Sequence, residues 1–336
     1  MLNGTLSLES FSFNKAEIKL LTSITYWALL HEAENSTSYS RFHKFLKKDD
    51  EAREATEKYQ VRKRRWINDW KLMTCRLLEI DDVYIKSEIS PAVTILELTG
   101  AKRQTLIVEL AVFEPYFKLP KGSKGDDLKY DDEDRQRYFQ FCAKILGNHA
   151  PLDQAWARFN DCAKKIAKSN VGTNWTWIWA GLGAVVLLIT APYLAGAIGG
   201  IMGLSGAAAT SAGLAFLGGG SLAAGGLGMT GGYFALMAGG GIFGYTNGNT
   251  DFKKKVRESN KEELLVACSK LYAVICISKV NWKSKEEVCQ KVLNMQKDFE
   301  GEGDHCFLMG STIEGQKLDN KAMVLRSFRR VVRGDL

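Results

Sequence analysis

The chain has 336 residues, enough for two or three compact units, and its net charge of +7 is compatible with anionic lipid or nucleic acid without requiring either. Its seven cysteines include no pair spaced C-x-x-C, which disfavours a disulfide framework or a zinc site and predicts reduced core thiols in a cytoplasmic environment. The first residues lack a basic start followed by an apolar run, so we expect no secretory signal there.

The first 168 residues are predicted to be mainly helical. Asn14 and Glu17 have capping-box spacing, so a helix is expected to begin there. The apolar positions of that helix recur with helical period, at Ile18, Leu21, Ile24, Trp27 and Ala28. A second, longer helix is predicted over 49–80, with a charge-dense first half and with Trp66, Trp70, Met73 and Leu77 at helical spacing in its second half.

Residues 89–114 allow two interpretations. They contain two apolar runs that would pair as a β-hairpin, but Ser90-Pro91 is typical of a helix start and Gly100 of a helix end, and we favour helices. Further helices are predicted at 132–146, 152–168, 252–280, from a capping box at Ser284 and Glu287 to about 300, and at 321–333, with a break at 301–304.

A long uncharged stretch interrupts this helical pattern. Residues 169–250 contain no Asp, Glu, Lys, Arg or His, although a quarter of the whole chain is charged, and they hold 22 of its 32 glycines. Residues 176–203 alone form an uncharged run of 28 residues, which exceeds the roughly 20 helical residues that span a bilayer. A second uncharged run covers about 222–245. We therefore expect this stretch to insert into or dock against a membrane.

Aromatic and basic residues border the stretch as interface anchors would. The predicted anchors are Trp175, Trp177, Trp179, Tyr245, Lys253, Lys254 and Lys255. Lysines also precede the stretch, at Lys164, Lys165 and Lys168. Basic flanks prefer the cytoplasmic side, which predicts an even number of crossings. The length allows two spans, joined by a turn or re-entrant piece at 205–221.

Glycines recur in this stretch at four-residue spacing, a pattern that lets helices approach to backbone contact in lipid. The predicted packing glycines are Gly196, Gly199, Gly200, Gly203, Gly228, Gly232, Gly240 and Gly244. In water each helical glycine costs about 1 kcal/mol relative to alanine. The alternative is a glycine-rich loop domain, or a hairpin buried within a soluble helical bundle.

No motif in the chain predicts catalysis, a metal or a cofactor. Two GxGxxG matches, at Gly226 and Gly239, follow no strand and are expected by chance in so glycine-rich a stretch. His31 and Glu32 lack the second histidine of HExxH and are predicted to be ordinary helix-surface residues. His305 and Cys306 have the residue types of a Cys–His nucleophile, but adjacency in the sequence does not create the geometry that it needs. The acidic run over 126–134 is interpreted as a solvated loop and a helix N-terminus.

Two basic patches remain, and they fit an anionic leaflet, nucleic acid, an acidic partner or a merely solvated face. The first consists of Arg62, Lys63, Arg64 and Arg65, and the second of Arg326, Arg329, Arg330 and Arg333.

The glycine-rich block over 204–232 resembles the glycine-zipper hairpins of apolipoprotein L-like proteins and of membrane-perforating bacterial effectors, including those of anti-phage systems. The resemblance covers about 70 residues and implies a helical protein that perturbs or permeabilises a membrane. It carries over no residue beyond the glycine spacing.

Together these patterns predict a mainly α protein with a cytoplasmic helical domain (1–168), a two-span transmembrane hairpin (169–250) and a second cytoplasmic helical domain (251–336). The leading function hypothesis is a pore-forming or membrane-perturbing effector, as a toxin or in antiviral defence, that oligomerises with itself and is cytosolic before insertion. A regulatory protein partner is compatible with it. The alternatives are a membrane-anchored scaffold, a soluble helical protein that buries the hairpin, and an enzyme with a site between its helical domains.

Overall fold

The computed structural model of the chain describes residues 15–36, 49–78, 100–116, 128–169, 261–278 and 282–335. Within these ranges all regular structure is α-helical and none is strand. The eight helices are α1 (Lys15–Glu34), α2 (Asp49–Leu78), α3 (Gly100–Ala111), α4 (Asp132–Leu146), α5 (Leu152–Ser169), α6 (Lys261–Ile277), α7 (Trp282–Leu308) and α8 (Thr312–Arg333). The prediction of a mainly α protein is confirmed for this part of the chain.

The start of α4 shows how the acidic run is used. Asp131 caps the helix, and its carboxylate accepts hydrogen bonds of 3.0 Å from the backbone N–H groups of Glu133 and Asp134. The Asp134 carboxylate in turn accepts from the Asp131 N–H at 3.3 Å, which completes a capping box. The predicted helix 132–146 therefore has the predicted bounds.

The predicted helix end at Gly100 is wrong, because α3 begins there and continues to Ala111. Glycine is common at both ends of helices, so its presence alone did not decide between a start and a stop. The Arg103 guanidinium donates a hydrogen bond of 2.6 Å to the carbonyl of Leu146. This bond ties the first turns of α3 to the last carbonyls of α4.

The predicted break at 301–304 is also wrong, because α7 runs through these residues to Leu308. Close packing explains why a helix keeps glycines here: a Cβ at Gly303 would lie 3.0 Å from the Asp319 carboxylate, and one at Gly315 would lie 2.9 Å from the Phe307 ring. The chain turns instead at Gly310, whose φ is +79°. As a result, α8 begins well before the predicted position 321.

The turn after α7 is a Schellman motif, in which a left-handed glycine lets two backbone N–H groups satisfy carbonyls of the last helical turn. The N–H of Ser311 donates to the carbonyl of Cys306 at 2.8 Å, and the N–H of Gly310 donates to that of Phe307 at 3.0 Å. The turn is therefore fixed by its own backbone hydrogen bonds.

The apolar face predicted for α1 is confirmed at Leu21, Ile24 and Ala28, which are completely buried. Trp66 and Trp70 of α2 are buried in the same core. Of the seven cysteines, all of which carry free thiols, five belong to this core: Cys75, Cys142, Cys162, Cys268 and Cys289.

Helices from both sides of the uncharged stretch pack together. α6 lies against α5 and α3, and α8 lies against α5, α6 and α7. A buried ion pair of 2.7 Å between Glu109 of α3 and Lys270 of α6 joins the two sides. Burial raises the pKa of Glu109 and lowers that of Lys270, so each partner depends on the other to stay charged.

In the part of the chain that the structure describes, no helix combines the length and apolar character needed to cross a membrane. The predicted two-span hairpin over 169–250 lies outside the described residues, apart from Ser169. The division into segments 1–168, 169–250 and 251–336 remains a prediction.

Candidate functional site

The first candidate site consists of the end of α5 and the beginning of α6, which border residues 170–260; α1 to α8 together are called the helical body. α5 and α6 pack closely there. Cys162 of α5 hydrogen-bonds Ser269 of α6, while Arg158, one turn earlier in α5, interacts with Tyr272 and Cys276, further along α6. Arg158 acts electrostatically on residues one and two turns after Ser269. In a parallel pair it would lie level with residues before Ser269, so the two helices are antiparallel.

It follows that the end of α5 and the beginning of α6 lie at the same end of the pair. The Ser169 hydroxyl donates to the carbonyl of Lys165 at 2.9 Å and closes the last turn of α5. Lys164 and Lys168 are exposed on this turn, and Lys165 forms an ion pair of 3.3 Å with Asp161. The basic residues predicted to precede the uncharged stretch therefore face solvent where the chain leaves the body.

Two groups of predicted site residues lie outside the described residues. The packing glycines are Gly196, Gly199, Gly200, Gly203, Gly228, Gly232, Gly240 and Gly244, and the interface anchors are Trp175, Trp177, Trp179, Tyr245, Lys253, Lys254 and Lys255.

The first predicted basic patch is divided between the surface and the interior. Arg62 and Arg65 are exposed on α2 and Arg64 is half-buried. Lys63 has no exposed surface at all, so its place in a surface patch is a wrong prediction. Helical spacing explains this, because Lys63 shares a face with the buried rings of Tyr59 and Trp66.

Lys63 is the centre of a buried cluster, defined by Glu32, Ser36, Lys63, Tyr116 and Asp134. Its ammonium lies 2.5 Å from the Glu32 carboxylate and 3.3 Å from that of Asp134, and donates to the Ser36 hydroxyl at 3.1 Å. The side chains of Glu32, Lys63 and Asp134 are fully buried. The cluster therefore joins α1, α2 and α4 through charge-assisted hydrogen bonds.

Tyr116 completes the buried cluster from the segment that follows α3. Its hydroxyl donates to the second oxygen of Glu32, and its ring lies 4.8 Å from the Lys63 ammonium and 5.1 Å from the Trp66 ring. Its φ is +66°, a left-handed conformation that is unusual for an aromatic residue. The hydrogen bond and the ring contacts hold this strained backbone in place.

The prediction that Glu32 is an ordinary surface residue is therefore wrong. Burial raises the pKa of Glu32 to about 7, against the opposing effect of Lys63. The Asp134 carboxylate, which Arg137 contacts at 2.8 Å from its outer side, raises this pKa further. Glu32 continues the apolar face of α1, four residues after Ala28, and that spacing is the signal that would have found it.

A second carboxylate near this cluster, that of Glu114, is half-buried. Glu114 forms an ion pair of 2.5 Å with Arg135, whose guanidinium stacks 3.9 Å from the centre of the Trp156 ring. Burial raises the pKa of Glu114 to about 7, again against its cationic partner. Since a substrate cannot reach the fully buried cluster in this arrangement, we assign these charges a structural role in fixing the helices.

The second predicted basic patch is used mainly within the chain. Arg326 lies 2.6 Å from Glu300, and Arg333 lies 2.8 Å from Glu286, both on α7. Arg329 donates to the Gln296 side chain at 2.8 Å. Three of the four arginines therefore bind α7, and Arg330 alone of the four points to solvent without an ion pair among the described residues.

The remaining candidates from the sequence do not assemble into a chemical site. His31 packs against the ring of Phe141 at 5.5 Å, and His305 is exposed beside a half-buried Cys306. Among the described residues, no three of the His, Cys, Asp and Glu side chains are arranged to hold a metal ion.

Comparison of the chain with protein families, with characterised proteins and with solved structures finds no match.

Proposed function

We propose that this protein is a membrane-acting effector that inserts its uncharged stretch, oligomerises through glycine faces and permeabilises a lipid bilayer. The observation that carries the proposal is the absence of any charged residue from Ser169 to Thr250, in a chain with 45 basic and 38 acidic residues. A stretch of this kind is long enough for two helical spans.

The geometry of the helical body supports a hairpin in particular. Because α5 and α6 are antiparallel, the chain leaves and re-enters the body at one end of the pair. An even number of crossings needs this arrangement, since both ends of the stretch then lie on one side of the membrane. The exposed Lys164 and Lys168 at this end favour the cytoplasmic side and an anionic leaflet.

The four-residue spacing of the glycines supports self-association of the spans, and not only their attachment to a membrane. Spans rich in small residues associate through close backbone contact, because lipid supplies no hydrophobic drive between helices. In this proposal the helical body stays in the cytoplasm, and the chain is cytosolic until a trigger, which a regulatory partner could supply, permits insertion. By the resemblance to perforating effectors, we propose bacterial anti-phage defence or toxicity as the setting.

Dye release from vesicles tests the proposal. The full chain is added to vesicles of zwitterionic and anionic lipid loaded with a quenched dye, and we expect leakage. Gly228→Leu combined with Gly232→Leu should abolish it, because leucine at these positions separates the packed helices. Gly301→Leu is the matched control: that glycine has nothing within 4 Å of its Cβ position, so the same added bulk should leave leakage unchanged.

Full leakage by the double glycine variant would contradict assembly through glycine faces. Carbonate extraction of cells separates the alternatives. A chain that resists extraction but causes no leakage is a membrane-anchored scaffold, and a chain that is always in the soluble fraction keeps the stretch folded within a helical bundle.

A further inference from the structure

The turn between α7 and α8 carries a compact set of exposed apolar side chains, which we name the apolar tip. Its members are Phe307, Leu308, Met309 and Ile313, with exposed fractions of 38%, 85%, 71% and 74%. The Schellman turn holds their backbone in one conformation. Large apolar side chains grouped at a fixed turn are typical of a binding surface.

Acidic residues surround the apolar tip. Residues 302–317 contain Glu302, Asp304 and Glu314 against a single Lys317, and Asp304 and Glu314 are exposed. An anionic leaflet would repel this rim. A surface that combines apolar groups with positive charge would attract it.

Such a surface exists on α2, and we name it the basic stripe. Its members, Val61, Arg62, Arg65, Asn68 and Leu72, are all exposed. The spacing of 61, 65, 68 and 72 places them on one face of the helix, with apolar side chains at the two ends and positive charge between them. Val61 is 51% exposed and Leu72 is 45% exposed.

Among the described residues, these two surfaces contain every exposed large apolar side chain except that of Met323. They do not cover each other within one chain, because each is exposed and because α2 makes no extensive contact with α7 or α8 among the described residues. Among the described residues, no helix covers either surface.

We propose that the apolar tip of one copy docks on the basic stripe of a second copy. Leu308, Met309 and Ile313 then pack against Val61 and Leu72. The exposed Asp304 faces Arg65, while Glu314 keeps its 3.9 Å contact with Lys317. Apolar groups then meet apolar groups, and an acid meets a base.

The contact is head-to-tail, since the two surfaces differ. Each docked copy keeps one unused tip or stripe, so the contact builds a ring or an open chain instead of stopping at a dimer. It uses only the helical body. It therefore goes beyond the proposed function and does not depend on membrane insertion.

Light scattering of the full chain in buffer without lipid or detergent tests the contact over a concentration series, because the glycine assembly of the proposed function needs a membrane. We expect the wild type to assemble beyond a dimer. A tip variant, Leu308→Asp with Met309→Asp, and a stripe variant, Arg65→Glu with Val61→Asp, should each be monomeric. The matched control is Met323→Asp, which removes exposed apolar surface outside both sites and should assemble as the wild type does.

Mixing the two variants gives the sharpest result. The tip variant keeps an intact stripe and the stripe variant keeps an intact tip, so the mixture should form dimers and nothing larger. A wild type that is monomeric throughout, a tip variant that assembles normally, or a mixture that stays monomeric would each overturn the proposal. If the particle mass falls only in the variant with Gly228→Leu and Gly232→Leu, the copies associate through the uncharged stretch. That result would support the proposed function and overturn this contact.

Discussion

Two helices of this protein, α2 and α8, carry similar basic runs and use them in opposite ways. In α2 the run at 62–65 sends Lys63 into the core, where it meets two buried carboxylates. In α8 three of the four arginines of the run bind carboxylate or amide groups of α7 near the surface. A basic run in a sequence therefore does not by itself indicate a surface for lipid or nucleic acid.

The burial of a charged side chain determines how much its ion pair affects the free energy of unfolding. A buried charge that loses its partner has no water to replace it, so removing one side of such a pair costs several kcal/mol, whereas an exposed pair contributes only about 0–1 kcal/mol. The comparison of α2 and α8 thus predicts large effects for one basic helix and small effects for the other.

The largest effect is expected for Lys63→Met, which keeps much of the side-chain length and removes the charge. Glu32 and Asp134 would then face each other in the core without their shared ammonium. We expect a loss of about 3–5 kcal/mol in the free energy of unfolding, measured by denaturant titration of the helical circular dichroism signal. Arg65→Met, two residues away and exposed, is the control and should change stability by less than about 0.5 kcal/mol. Equal losses of stability from the two substitutions would contradict the claim that burial determines how much each charge contributes.

An effect of intermediate size on the free energy of unfolding is expected when the pH is raised through the pKa of Glu32. The pKa of Glu32 is 4.5 in the unfolded chain and about 7 when folded, so between these values the folded protein keeps a proton that the unfolded chain has released. The stability from this proton is complete below pH 4.5 and is lost as the pH rises through 7, by up to about 3 kcal/mol. Glu32→Gln stays neutral, so its free energy of unfolding should rise relative to the wild type between pH 5 and 8.

The control for this titration is Glu54→Gln. Glu54 is exposed, and its hydrogen bond to Lys58 lowers its pKa, so the difference from the wild type should be small and of opposite sign. A Glu32→Gln variant that tracks the wild type at every pH would show that the buried cluster is not titrating in this range.

The smallest effect is expected for Arg326→Ala, which removes the contact with Glu300. The Arg326 side chain is 62% exposed, so we expect a loss below about 1 kcal/mol that shrinks further in high salt. Arg330→Ala, on the same helix, is the control for removing an exposed arginine. A double-substitution cycle with Glu300→Ala isolates the pair, and a coupling as large as the Lys63 effect would contradict the difference between the two helices.

Much of the helical pattern was predictable because it depends on local periodicity and capping. The bounds of α4, the apolar face of α1 and the burial of Trp66 and Trp70 all follow from spacing. The errors arose where a residue's role depends on a distant partner. The glycine at 303 breaks an isolated helix but fits a close contact with α8, and Glu32 and Lys63 are buried only because each supplies the other's charge.

The same limit applies to the candidate site. The lack of charge over 169–250 is visible in the sequence, but the antiparallel packing of α5 and α6 is not, because it depends on contacts between residues about 100 positions apart. The ion pair between Arg326 of α8 and Glu300 of α7 was also not predictable, because nothing in the sequence near Arg326 indicates Glu300 as its partner.

The antiparallel packing of α5 and α6 also separates the stability of the body from the length of what lies between them. With the two ends held together by packed helices, the entropy of closing the intervening chain grows only logarithmically, by about 0.6 kcal/mol for each doubling of its length. By this relation, a change in the number of residues between Ser169 and Lys261 that altered only the closure entropy would cost the core little.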